Sequence, residues 1–301
     1  MPDLTRYMQR MSYLMRQGKP ANDIAFYLPN SDAWAGFVNP KVHYMIEALK
    51  ERIGETVVAR TLEAGYNLDF FDDEVLQTRG KVEQNALALG PNKYKAVILP
   101  NVERIPLPTL RKIEEFAKNG GIVIATKRAP NLAPGLLATE AEQNEIRTIS
   151  ARLFAGSAAS RLVEDENRSL ADTLHKLLPP DVALAPAVPE IGFIHRTTPD
   201  AEVYFLANTS NQKQTVKATF RVTGLQAELW NPMEGSVAAV EVNKEANGLA
   251  LPLEIEPYGS RVVVFTKRSL ALAPKKPASN LPPIDISSGW SITIQQQTAT
   301  M

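Results

Sequence analysis

At 301 residues, with 33 basic and 33 acidic side chains and a formal net charge of +0, the chain has room for about two domains and no global field to attract nucleic acid or an anionic membrane. It holds no cysteine, which excludes disulfides, thiolate metal sites and a cysteine nucleophile, and its three histidines (His43, His175, His195) are too scattered to suggest zinc. No apolar run reaches the roughly 18 residues of a membrane span, and the first residues lack the basic-then-apolar layout of a signal peptide. No cofactor, metal, nucleic-acid or membrane partner is therefore expected.

Residues 3 to 17 predict a helix capped by Asp3, with Leu4, Tyr7, Met8, Met11, Leu14 and Met15 at helical spacing and Gly18 as its stop. It covers the neighbouring sheet or is the last helix of a barrel lying upstream, and residues 1–21 are set apart on that ground. An α/β region is expected over 22–180. Asp23–Pro29, Asn67–Phe71, Lys95–Pro100 and Gly121–Thr126 are short apolar runs, the signature of a parallel sheet covered on both faces. Helices are predicted over 43–53, 106–119, 140–154 and 169–178, and Val57–Val58 suggests a short strand.

Beyond Pro180 the period changes. About seven strands at 8–12 residue spacing, separated by turn signals such as Asn231-Pro232, Asn247-Gly248 and Pro257-Tyr-Gly259, predict an antiparallel β-sandwich over 181–268. Residues 269–301 read as an Ala/Pro/Lys linker and the opening strand, near Trp290, of a truncated jelly roll. The expected fold class is α/β plus all-β: a flavodoxin-like (class I glutamine amidotransferase-like) parallel-sheet domain followed by an antiparallel β-sandwich.

The turn after the first strand, Pro29-Asn-Ser-Asp-Ala-Trp34, has neither GxGxxG nor a Walker lysine, so a nucleotide site is not expected. Amidotransferase chemistry would need the missing cysteine. What remains are polar residues at strand carboxyl ends: Asp32 and Trp34, Asn101 and Glu103, Lys127 and Arg128. An aromatic face beside a carboxylate suits a sugar, so Asp32, Trp34 and Glu103 are the candidate substrate-binding residues; Asp32 with Glu103 would be the one acid/base pair on offer. The plain alternative is that Asp32 caps a turn, Trp34 packs under the loop and Glu103 is solvated. Asp72 or Asp73 reads as a helix N-cap, His195 as a structural strand residue, and Trp230 as a sandwich-core residue. Asn167 and Asn208 head glycosylation sequons.

Several motifs in one order carry a family resemblance: Ser12 to Lys19 running into Asp23 to Trp34, Val97-Ile-Leu-Pro-Asn-Val-Glu-Arg-Ile-Pro106, Gly192-Phe-Ile-His-Arg196, Tyr204 to Ser210, Glu228-Leu-Trp-Asn-Pro232 and Pro257-Tyr-Gly-Ser-Arg261. Together they resemble α-L-rhamnosidase-type glycoside hydrolases of family 106. The resemblance implies a catalytic α/β barrel carrying the carboxylates, a domain like the trimerisation domain of β-galactosidases, a sandwich and a sugar-binding jelly roll. It implies a rhamnose-containing glycan as partner of a parent enzyme that is periplasmic or extracellular. No catalytic residue of the family carries over, because the matching positions fall outside this sequence. The expected function is an accessory, non-catalytic portion of such an enzyme, supporting the barrel and contacting the glycan. The alternatives are a free-standing carbohydrate-binding or scaffold protein, and a hydrolase working through Asp32 and Glu103.

Overall fold

A computed structural model describes residues 2–37, 44–156 and 160–268, and the backbone of two strands at Ser291–Ile294 and Gln297–Thr300. The chain opens with α1 (Pro2–Leu14) and β1 (Lys19–Pro20). β2 (Ile24–Tyr27) leads through α2 (Asn30–Ala35), α3 (Met45–Ile53) and α4 (Glu55–Glu63) to β3 (Leu68–Phe71). After α5 (Asp73–Arg79) come three short strands, β4 (Gly80–Glu83), β5 (Ala86–Leu89) and β6 (Asn92–Tyr94). Then follow β7 (Ala96–Pro100), α6 (Leu107–Lys118), β8 (Ile122–Thr126), α7 (Glu140–Phe154), β9 (Ser160–Val163) and α8 (Glu166–Leu177). The remainder is β10 (Val182–Ala185), β11 (Ile191–Thr197), β12 (Ala201–Asn208), β13 (Gln214–Phe220), β14 (Gln226–Asn231), β15 (Ser236–Val240), β16 (Asn243–Glu245), β17 (Gly248–Ile255) and β18 (Ser260–Thr266).

Pairing corrects the expected class. The described residues form a mostly antiparallel, β-rich fold: a six-stranded sheet β1-β11-β12-β18-β14-β15, a four-stranded sheet β10-β13-β17-β16 and a three-stranded meander β4-β5-β6, all antiparallel. One small parallel sheet, β3-β2-β7-β8-β9, and eight helices accompany them. An α/β plus all-β description, with a flavodoxin-like or class I glutamine amidotransferase-like first half, is thus not the architecture found. Apolar runs reveal that a sheet is buried on both faces, but they do not reveal what else is woven around it. The meander inside the first half and the tie of β1 to β11 carry no such runs. Val57 also differs from expectation: it lies fully buried in α4, not in a strand.

Local chemistry explains the helices. On α6, Leu107, Leu110, Ile113 and Phe116 recur at helical spacing and pack into the core above the parallel sheet. α7 begins at a reciprocal cap, where Glu142 N donates to Thr139 Oγ1 at 3.2 Å and Thr139 N to Glu142 Oε2 at 3.0 Å. Asp72 caps α5, accepting from Val75 N at 2.9 Å. The opposite face of the parallel sheet, with Ile24, Phe26, Ile98 and Ile124, is closed by residues of α3, α4 and α8.

The two larger antiparallel sheets share a core in which Tyr204, Leu206, Val263 and Phe265 meet Ala218, Phe220, Leu251 and Leu253. The outer face of the six-stranded sheet is covered by α1 and the turn that follows it: Tyr7, Met11 and Leu14 of the helix and Met15 of the turn pack on Val203, Val262 and Val264. Trp230 belongs to this outer cluster and not to the core between the sheets, and its indole N–H donates to Glu228 Oε2 at 2.9 Å. Arg10 fastens α1 to the turn after β14 by donating to the Pro232 and Met233 carbonyls at 2.9 and 2.6 Å.

The parallel and antiparallel parts are joined closely at Gly65, whose carbonyl accepts from Asp181 N and Val182 N at 3.0 and 3.2 Å. Gly65 has φ +89°, and a Cβ there would lie 2.0 Å from the Val182 carbonyl oxygen, so only glycine fits. The linker, and Trp290 with its jelly-roll opening, lie outside the described residues apart from the paired strands Ser291–Ile294 and Gln297–Thr300.

Candidate functional site

The carboxyl ends of β7 and β8 bring together residues that are distant in sequence. After β7 the chain turns at Asn101, at φ +51°, and this aims the backbone of Glu103 and Arg104 at α2. Asp32, on α2, receives them: Glu103 N donates to Oδ2 at 2.7 Å, and Arg104 N donates to Oδ1 at 3.1 Å. Two guanidinium groups complete the shell, Arg104 Nη1 at 3.3 Å and Arg52 Nη2, from the end of α3, at 3.2 Å. The Asp32 side chain is wholly buried, so its oxygens are taken up by the protein itself.

Glu103 extends the cluster outward. Its carboxylate pairs with Arg104 at 2.6 Å and Arg128 at 3.3 Å, and stands 3.9 Å from Arg52. Three guanidinium groups thus face two carboxylates, leaving one excess positive charge at the edge. Lys127 turns away from the group and pairs with the buried Glu166 at 3.4 Å. Trp34, two residues beyond Asp32, is 65% exposed, with Phe37 beside it at a centroid distance of 6.0 Å. It neither packs under the loop nor touches Asp32's ion pairs.

Sequence reasoning located Asp32 and Glu103 and placed them at one edge. It missed Arg52, because an arginine in the last turn of a helix is ordinary and nothing in its neighbourhood marks it as a partner. It also missed the purpose of His195. That ring lies between two carboxylates, with Nδ1 2.8 Å from Asp181 Oδ2 and Nε2 2.8 Å from Glu202 Oε2. Burial opposes its protonation, but the hydrogen bonds and charges of Asp181 and Glu202 prevail and raise its pKa above the ordinary imidazole value. Arg221, ion-paired with Asp23, approaches Asp181 to 3.7 Å and connects the group to the start of β2.

Below the sheet edge, Asp73 accepts from Thr109 Oγ1 at 2.6 Å and from Tyr27 Oη at 2.9 Å. Burial raises the Asp73 pKa against the pull of those two hydrogen bonds, and burial, then the Asp73 charge, raises that of Tyr27. Asn208 of the second sequon is buried and donates to the Gln212 and Glu256 carbonyls at 2.7 and 3.1 Å, a position closed to a glycan. Among the described residues, no group of three or more His, Cys, Asp or Glu side chains could hold a metal, and no helix is long and apolar enough to cross a membrane.

Comparison with known proteins decides the family. A family model for glycoside hydrolase 106, alpha-L-rhamnosidase, matches residues 2–244. The chain belongs to this family. It is 26% identical over 267 residues to a Formosa agariphila protein named "Putative beta-glucuronidase", covering 87% of this chain and 21% of that one. A rhamnosidase from Novosphingobium sp. PP1Y shares its fold with a TM-score of 0.68 and 23% identity, over 97% of this chain and 26% of the other. A beta-galactosidase from Bacillus circulans sp. alkalophilus aligns with a TM-score of 0.55 and 11% identity, over 87% of this chain and 44% of that enzyme. This chain spans only about a fifth to a quarter of the length of the Formosa and Novosphingobium proteins. The kinship read from the sequence motifs holds, and it is to glycoside hydrolases that the whole fold, not only its parallel sheet, is similar.

Proposed function

We propose that this chain is an accessory, non-catalytic portion of an alpha-L-rhamnosidase-type glycoside hydrolase, which supports a catalytic barrel and contacts the glycan. The observation that carries the reading is the state of Asp32. Glycoside hydrolysis needs two carboxyl groups free to exchange a proton or attack a sugar. Asp32 spends its oxygens on two backbone amides and two guanidinium groups, and Glu103 is engaged by arginines on both oxygens. Neither is poised for acid/base work, and both suit the task of fixing α2 and its loop in place.

In this reading Trp34 is the contact. α2 is held rigid from below by Asp32, and its exposed indole offers an apolar face to the C–H side of a sugar ring. Asp32, tied to the Glu103 and Arg104 backbone amides, positions that platform. Calorimetric titration of the purified chain with a rhamnose-containing oligosaccharide tests the contact. Weak, saturable binding that disappears in Trp34→Ala is expected. Absence of binding, or binding undiminished by the variant, would remove glycan contact from the proposal.

A further inference from the structure

The six-stranded sheet ends on one side at β15, Ser236-Val-Ala-Ala-Val240. Among the described residues this strand pairs with β14 alone, in an unbroken register from Asn231↔Ser236 to Ala227↔Val240. Every second residue of such a strand turns its N–H and C=O away from the sheet, where they offer a template for another strand. Ser236, Val237 and Ala238 are exposed, and Ala239 and Val240 are half-buried.

Proteins commonly blunt an edge with charge, proline, a bulge or extreme shortness. The other edges of the four larger sheets follow that rule. β3, β4, β6, β9 and β16 each hold at least one charged residue, such as Lys93 on β6 and Arg161 on β9. β1 is two residues long and ends in Pro20. β10 stops before Pro186, and the Gly65 carbonyl already takes its Val182 amide. β15 has none of these protections: no charge, no proline and no break in register.

An antiparallel copy of the same strand fits this edge. Residues that face one another across the new pair must both present their amides to the gap, so the two-fold axis has to pass through a residue and not between two. Centred on Ala238, the register uses the whole strand. Ala238 faces its own copy, Val237 faces Ala239 of the second copy, and Ser236 faces its Val240. Just beyond, Glu241 falls opposite Gly235 and Glu234 opposite Val242, so no like charges meet. On the outer face, the cross-strand pair of Trp230 and Val237 would continue into Ala239 of the second copy as one apolar row.

We propose that β15 is a docking edge for a second copy of this chain, joining two six-stranded sheets into one continuous sheet across a two-fold axis at Ala238. This goes beyond the glycan-contacting role given above and does not depend on it. The recognition is by main-chain hydrogen bonds, and the uncharged side chains of β15 are what leave them open.

Sedimentation equilibrium of the full 301-residue chain, from about 1 to about 200 μM, tests it. A monomer–dimer equilibrium in the micromolar range is expected, since a five-residue ladder makes a small interface. Ala238→Lys and Ala238→Glu each alter an exposed side chain and set like charges face to face on the axis. Each should weaken the dimer about tenfold or more while leaving the circular dichroism spectrum unchanged. An equimolar mixture of the two variants should dimerise again, because opposite charges then face each other, a rescue that damage to the fold would not allow. A native chain that stays monomeric over the whole range would overturn the proposal. So would a dimer that keeps its native strength in both variants, or a mixture no stronger than either variant by itself.

Discussion

His195 lies flat against Tyr204, with ring centroids 3.8 Å apart and planes 17° from parallel, and both rings bond the same buried carboxylate, Asp181. Asp181 ends the link from α8 and itself touches Arg221, while His195 reaches across to Glu202 on β12. One imidazole thus ties the chain entering the four-stranded sheet to the six-stranded one. A charged imidazolium can donate to both carboxylates at once, whereas a neutral ring can donate to only one.

This arrangement sets a pH dependence. Because the folded-state pKa of His195 is raised, its contribution to stability is fully present below the ordinary imidazole value and is lost as pH rises through the folded value. The melting temperature is therefore expected to fall as pH rises above about 6.5, the ordinary imidazole value. In His195→Gln, which is less stable throughout, that slope should flatten. Thermal denaturation followed by circular dichroism at several pH values checks both, and a native chain whose melting point holds steady across that rise would contradict the assignment.

Asp73 should respond in a related way. Burial favours its neutral form, so the ionised carboxylate is a burden on the fold as pH rises above the carboxylate range. Asn can still accept from Thr109 and Tyr27 without carrying charge. The melting temperature of Asp73→Asn, relative to the native chain, is expected to climb as pH rises above about 4, the ordinary aspartate value. Tyr27→Phe removes a donor to Asp73 and should cost about 1–2 kcal/mol in urea denaturation.

Removal of the Asp32 carboxylate should be far more damaging than its exposed neighbours suggest. Asp32→Ala leaves Arg52 and two backbone amides facing a void, and the expected loss is about 3–5 kcal/mol by urea denaturation. Asp32→Asn keeps an acceptor and should cost about half as much. Trp34→Ala, two residues away on the same helix, removes an exposed side chain and should change stability by less than about 0.5 kcal/mol. A mild Asp32→Ala would show that the edge is not organised around this residue.

How far the sequence disclosed the molecule depended on the kind of signal. Leu107, Leu110, Ile113 and Phe116 announce α6 because helical burial repeats within one short segment. Asp72 announces its cap for the same local reason. The meander from Gly80 to Tyr94 went unread, since its strands are three or four residues long and mix Lys, Glu and Asn with Leu and Ala. That omission is part of why the overall class was misjudged. At the site, the strand ends placed Asp32, Glu103 and Arg128 together. The loss of Asp32's lone pairs to Arg52 and Arg104 was not legible, because those contacts span 20 and 72 residues and depend on the turn at Asn101. His195 likewise looked like one strand residue among many. Its two partners sit 14 and 7 residues away on different elements.

The most direct test of the account is an assay of the purified chain on an aryl α-L-rhamnoside with a chromogenic leaving group, beside the Asp32→Asn variant. The account predicts release indistinguishable from buffer for both. Sustained turnover by the native chain that is abolished in Asp32→Asn would contradict it, because the carboxylate assigned here to holding α2 in place would then be performing the chemistry.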